Sequence, residues 1–129
     1  MKHVSNEKGF TLVELMISLV ILAVGLLAMA GMQIEAIRGN KFAGRLSYMT
    51  AVSQEVMESF MARSGDDAIF DTAASNVAYP QVYSAQGVGT VNATYSIVLN
   101  TPVPNVVTIT VSVTSGGRTL TVSSFKRAT

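Results

Sequence analysis

The chain has 129 residues, of which 49% are hydrophobic and only 13% charged, and its formal net charge is +1. That length allows one modest domain, and so small a charge leaves no basic field able to hold a nucleic-acid backbone. With no cysteine, the chain lacks a disulfide framework, a thiol nucleophile and a thiolate metal site, and because its single histidine, His3, lies in a short polar leader, the mature chain is not expected to build a Ser-His-Asp site or a histidine-ligated metal centre.

Residues Met1 to Gly9 are short and polar, with Lys2 and Lys8 set against Glu7. A positive flank of this kind stays in the cytoplasm while the apolar run behind it enters the bilayer. From Leu15 to Met32 no residue is charged, and a run of roughly 18 apolar residues is the usual mark of a membrane-spanning helix. Ala28-Met29-Ala30 has the form of a signal-peptidase site, which keeps a cleaved secretory signal open as an alternative. The pattern beyond it nonetheless continues as helix.

Glu14 is the anomaly in this segment. A carboxylate near the middle of a bilayer costs roughly 2.5–3.5 kcal/mol on insertion scales, and less near the edge. Cleavage between Gly9 and Phe10 would create an α-amino cation about one helical turn, roughly 6 Å, from Glu14. In a stack of similar helices the amine of one subunit would then neutralise Glu14 of its neighbour. The plainer alternative is a single-span anchor whose Glu14 sits at the membrane edge, eased by headgroups and by the positive end of the helix dipole.

The run Lys8-Gly9-Phe10-Thr11-Leu12-Val13-Glu14-Leu15 resembles the prepilin cleavage and methylation motif of type IV pilins and type II secretion pseudopilins. The resemblance implies cleavage after Gly9 by a prepilin peptidase, N-methylation of Phe10 by the same enzyme, and a role for Glu14 in subunit addition. Farther on, Leu22-Ala23-Val24-Gly25-Leu26-Leu27-Ala28-Met29-Ala30-Gly31-Met32-Gln33 is most similar to the PilV-type minor pilins. Major pilins commonly carry a proline near the position of Gly31, whereas the first proline here is Pro80. Gly25 and Gly31 either loosen the helix, at roughly 1 kcal/mol each relative to alanine, or let neighbouring membrane helices pack closely.

Past Met32 the pattern becomes amphipathic, with Phe42, Leu46, Met49, Val52, Val56 and Phe60 recurring every three or four residues. No proline interrupts Phe10 to Arg63 and Ser64-Gly65 supplies a stop, so one helix of roughly 80 Å is expected over that range. Met49, Met57 and Met61 are expected to fill a core. Asp66 to Thr90 reads as an irregular connection with one short strand around Gln81 to Ser84. Its aspartates, Asp66, Asp67 and Asp71, fit no EF-hand spacing and read as a solvated acidic stretch.

The C-terminal part alternates apolar and polar residues, predicting three antiparallel strands with one buried face. Gly116-Gly117 suits a two-residue hairpin pairing Ser115 with Arg118, Val113 with Leu120 and Val111 with Val122. A five-residue loop from Thr101 to Asn105 sets Ile97 against Ile109 and Leu99 against Val107. The buried face then needs the Phe42 to Phe60 stripe as its cover.

The expected fold is therefore α+β and pilin-like: a long N-terminal helix, part membrane anchor and part amphipathic stalk, on a small antiparallel sheet of three to four strands. The expected organisation is a cleaved leader over residues 1–9, a transmembrane assembly helix over 10–33 and a head over 34–129. The resemblance implies a structural subunit of a type IV pilus, with no catalytic residues, no metal and no cofactor. Implied partners are the prepilin peptidase/N-methylase, other major and minor pilins, the inner-membrane assembly platform and membrane lipid. The chain would sit in the bacterial inner membrane with its leader cytoplasmic and its head periplasmic, and then pass to the pilus. Two alternatives stay open: a minor pseudopilin of a type II secretion system, and a membrane-anchored binding module that never polymerises.

Overall fold

The computed structural model describes residues 9–128; the expected leader, apart from Gly9, lies outside the described residues. The order of elements is one long helix, α1 (Leu12–Met61), a single 3-10 turn (Ala68–Phe70), and five strands: β1 (Ala74–Ala78), β2 (Tyr83–Ala85), β3 (Gly89–Val98), β4 (Val106–Ser115) and β5 (Arg118–Arg127). The fold class is α+β with a pilin-like layout, as the sequence implied. The described residues divide into two compact units, one ending at Gly39 and the other beginning at Asn40.

In the first unit every described residue is exposed. The helix passes through Gly25 and Gly31 without interruption, and a methyl group built at either glycine would meet nothing within 4 Å. Among the described residues α1 is the one helix long and apolar enough to cross a membrane, and none of its most apolar stretch is buried.

In the second unit the C-terminal part of α1 lies on the sheet. Met49, Val52, Val56, Met57 and Phe60 share one buried cluster with Val91, Ala93, Ile97, Val107, Ile109, Val111 and Val113. Each fully buried Val, Ile or Phe contributes roughly 1.5–3 kcal/mol relative to exposure. The expected stripe does not stay buried along its whole length: Phe42 and Leu46 remain 45% and 44% exposed, because only the start of β5 reaches them. Met49 and Met57 are buried, and Met61 packs against the cluster from its edge.

The sheet is antiparallel in the order β1-β3-β4-β5, with β2 also on β3. It holds one strand more than the upper expectation, because β1 and β2 share a single edge of β3 end to end: Ala78 pairs with Thr94 and Tyr83 with Val91. The short strand expected around Gln81 to Ser84 is β2. Nothing in the sequence reading anticipated β1. Apart from Val77 its residues, Ala-Ser-Asn-Val-Ala, are poor strand formers, and it carries a bulge between Ala74 and Val77 with Asn76 at φ 51°. The Asn76 N–H donates to Ser96 Oγ at 2.9 Å, in place of a ladder bond.

The β4–β5 hairpin has the expected register, with Ser115 opposite Arg118, Val113 opposite Leu120 and Val111 opposite Val122. Gly116 and Gly117 have φ 55° and 77°, the left-handed pair that a type I′ turn requires. In the β3–β4 hairpin Ile97 faces Ile109 as expected, but the ladder closes at Val98 and Thr108, one pair short of Leu99 and Val107. Asn100 and Asn105, both at positive φ, draw the connection together instead, with the Asn105 N–H donating to Asn100 Oδ1 at 3.2 Å. On the face away from α1, Thr110 bonds Ser123, Ser112 bonds Thr121 and Thr114 bonds Thr119 at 2.9–3.1 Å. Such cross-strand pairs reinforce the register.

Candidate processing and assembly site

Of the residues marked out by the sequence, Gly9, Phe10 and Glu14 fall at one place, the start of α1. Gly9, Phe10 and Thr11 are not helical, and the Phe10 side chain is 85% exposed. The Gly9–Phe10 peptide bond therefore lies in exposed, non-helical chain immediately before the helix. The helix begins two residues later than expected because Thr11 takes the N-cap position. Its carbonyl accepts the first helical bond, from the Leu15 N–H at 3.2 Å.

Thr11 and Glu14 hold each other reciprocally. The Glu14 N–H donates to Thr11 Oγ1 at 3.3 Å, while Glu14 Oε2 accepts from the Thr11 N–H at 3.0 Å and from the Thr11 hydroxyl at 2.9 Å. This is a capping box, which satisfies N–H groups that the first helical turn leaves without partners. A negative charge there also sits against the positive end of the helix dipole. Both bonds to the carboxylate come from neutral Thr11 donors and fall on Oε2, so Oε1 has no partner among the described residues and can accept from a cation. The sequence reading singled out Glu14 and passed over Thr11. The signal that marks it is the Thr-x-x-Glu spacing ahead of an apolar run.

Gly25 and Gly31 lie within α1 and touch no other part of the described chain. No group of three or more Asp, Glu, His or Cys among the described residues is arranged to hold a metal ion. Asp67 instead caps the 3-10 turn by accepting from the Ile69 N–H at 3.1 Å, and it pairs with Arg63 at 3.1 Å. The Ile69 bond, and after it Arg63, holds its carboxyl below the usual aspartate range, and the Ser64 hydroxyl does the same for Asp66.

At the far end of α1 a residue that no local pattern marks performs the closure. Lys126 Nζ, on β5, donates to the carbonyls of Phe60 at 3.1 Å, Met61 at 2.8 Å and Arg63. The last turn has no basic residue of its own, and a cation at this end satisfies carbonyls that the helix leaves open. Beside it lies an aromatic cluster, with the Phe60 ring centre 4.9 Å from that of Tyr95 and 6.1 Å from that of Tyr79. The Tyr79 hydroxyl donates to Ser59 Oγ at 3.0 Å and the Tyr83 hydroxyl to Glu55 at 3.3 Å. Burial first, and the Glu55 carboxylate second, push Tyr83 up to about 12.

Residues 4–30 match the family model described as the prokaryotic N-terminal methylation motif. No curated protein and no solved structure matches the chain. The match spans Gly9 and Phe10, the capping box and most of the apolar run, and the chain thus carries the prepilin signature of type IV pilins and pseudopilins. That signature implies processing by a prepilin peptidase and association with other pilins, and points to a structural subunit and not a catalyst. With one apolar N-terminal helix beside it, the motif is consistent with an inner-membrane anchor.

Proposed function

We propose that this carrier of the pilin and pseudopilin signature is a minor type IV pilin of the PilV type. Residues 1–9 are a leader removed by the prepilin peptidase, residues 10–33 an assembly helix and residues 34–129 a head exposed on the periplasmic side and then in the pilus. Phe10 becomes the N-methylated first residue. Gly25 and Gly31 let helices of neighbouring subunits approach closely, in the inner membrane and in the filament.

The observation that carries this reading is Glu14. It is the one acid between the Gly9–Phe10 bond and the uncharged run from Leu15 to Met32, four residues past Phe10, with Oε1 open. Inside a bilayer such a carboxylate is costly without a cation. The amine released at Phe10 supplies that cation from an adjoining subunit, so extraction from lipid and joining of subunits become one favourable event at the assembly platform.

The test is the mass of the mature N-terminal peptide together with a Glu14→Ala variant. The expected chain starts at N-methyl-Phe10, and Glu14→Ala is cleaved normally yet is absent from sheared filaments. A leader still attached in cells that possess the peptidase overturns the reading. A Glu14→Ala chain that functions fully would point instead to a membrane-anchored binding module. A pseudopilin carries the same signature, and loss of protein secretion with pili intact in a deletion strain would identify the chain as a type II secretion subunit.

A further inference from the structure

The second unit carries a groove of about 260 Å³ between α1 and the start of β5, floored by Leu46, Met49 and Leu120 and edged by Phe42, Arg45 and Arg118. Its volume is below the roughly 300–1,000 Å³ of small-molecule sites. It therefore suits one or two protruding side chains and not a cofactor.

The two arginines have no carboxylate within ion-pair distance among the described residues, where the ion pairs are Glu35–Arg38 and Arg63–Asp67. Arg118 lies over the Phe42 ring at 4.6 Å, which orients its guanidinium along the groove's edge. Arg45 is the more telling of the pair, because its Nε is buried without a hydrogen-bond partner. Native chains rarely leave such a donor unsatisfied. Its guanidinium packs closely against the hairpin turn, with Cζ 2.9 Å from where a Cβ at Gly116 would stand.

We infer that this groove receives a carboxylate-bearing side chain, flanked by an apolar one, from another pilin-type subunit. Two guanidiniums lacking acids call for an anion, and their planar forks match a carboxylate through paired N–H···O bonds. The half-exposed Phe42 and Leu46 call for an apolar neighbour to that anion. Arginine and aromatic anchors beside a small desolvated pocket are the composition of protein–protein contact centres. A lipid phosphate satisfies the charge but is disfavoured by position in the sequence: Phe42 comes ten residues after Met32, the end of the uncharged run, and Glu35, Arg38 and Lys41 lie between.

This inference rests on the pilin reading, and the experiment separates the two. The full-length chain carrying a photo-crosslinking amino acid at Leu46 is expressed with its own pilin set, and its N-terminal peptide and crosslinks are read by mass spectrometry. Expected is a mature Phe10 terminus and a crosslink to another processed pilin-type chain, within a peptide containing Asp or Glu. The crosslink should fall at least five-fold in the Arg45→Gln/Arg118→Gln double variant, with the head's protease resistance retained. In an Arg118→Glu chain it should return when the mapped partner acid is changed to Arg. A processed chain that crosslinks to phospholipid, shows no crosslink, or crosslinks equally in the double variant overturns the groove inference alone. An intact leader overturns the pilin reading and this inference with it.

Discussion

The two ends of α1 are closed by different means. At the N-terminal end Thr11 and Glu14, three residues apart, satisfy each other. At the C-terminal end the carbonyls of Phe60, Met61 and Arg63 wait for Lys126, more than sixty residues away in sequence. A cap made from neighbours forms wherever the helix forms, in lipid or in water, and needs no other part of the chain. A cap brought by β5 exists only once the sheet is in place. One end is therefore suited to handling by a peptidase and transfer between environments, and the other makes stalk and head a single cooperative unit.

Breaking the distant closure should have the largest effect. Lys126→Met keeps much of the aliphatic stem and removes three bonds to carbonyls; a hydrogen bond to a charged group is worth about 1.5–3 kcal/mol, and the three share one partly exposed ammonium. A loss of about 2 kcal/mol in the denaturant unfolding of the head is expected, with processing at Gly9 unchanged. Thr11→Val keeps the β-branched shape and deletes the hydroxyl of the N-cap. Loss of a cap costs about 1 kcal/mol, so amide exchange at Leu12 to Leu15 should speed by about five-fold while the head's unfolding midpoint stays fixed. If Thr11→Val moves that midpoint, the two ends are not independent and the comparison fails.

The smallest effect sharpens the contrast by pH. Tyr83 has its pKa raised from 10.0 to about 12, so the folded head holds this proton more tightly than the unfolded chain does. Its stabilising contribution is complete below pH 10 and is lost as pH rises from about 10 to 12. Unfolding of the head should show that alkaline decline, Tyr83→Phe should flatten it, and the exchange of Leu12 to Leu15 relative to an unstructured reference should ignore it.

What was readable from sequence follows the same division. The Gly116-Gly117 turn and the alternation on either side of it specify the β4–β5 register, because a slip of one residue would turn Val111 and Val113 out to solvent. The apolar run and Glu14 are likewise local signals. Lys126 and Arg45 were not legible, since each acts on a segment distant in sequence and nothing beside either residue distinguishes it from a solvated cation. β1 was hidden for a different reason: its pairing depends on β3 offering an edge, and its own residues argue against a strand. Phe42 and Leu46 continue the helical periodicity of the core stripe, and periodicity cannot tell where the opposing sheet stops.

The lysine that closes α1 also sets a schedule. Sixty-five residues separate Met61 from Lys126, and at roughly 5–20 residues per second of synthesis the ribosome needs roughly 3–13 s to make them. Throughout that interval the stripe from Met49 to Phe60 has been made but has no finished sheet to cover it. The apolar run from Leu15 to Met32 precedes the whole sheet in the chain, so it leaves the ribosome before the cover for that stripe does.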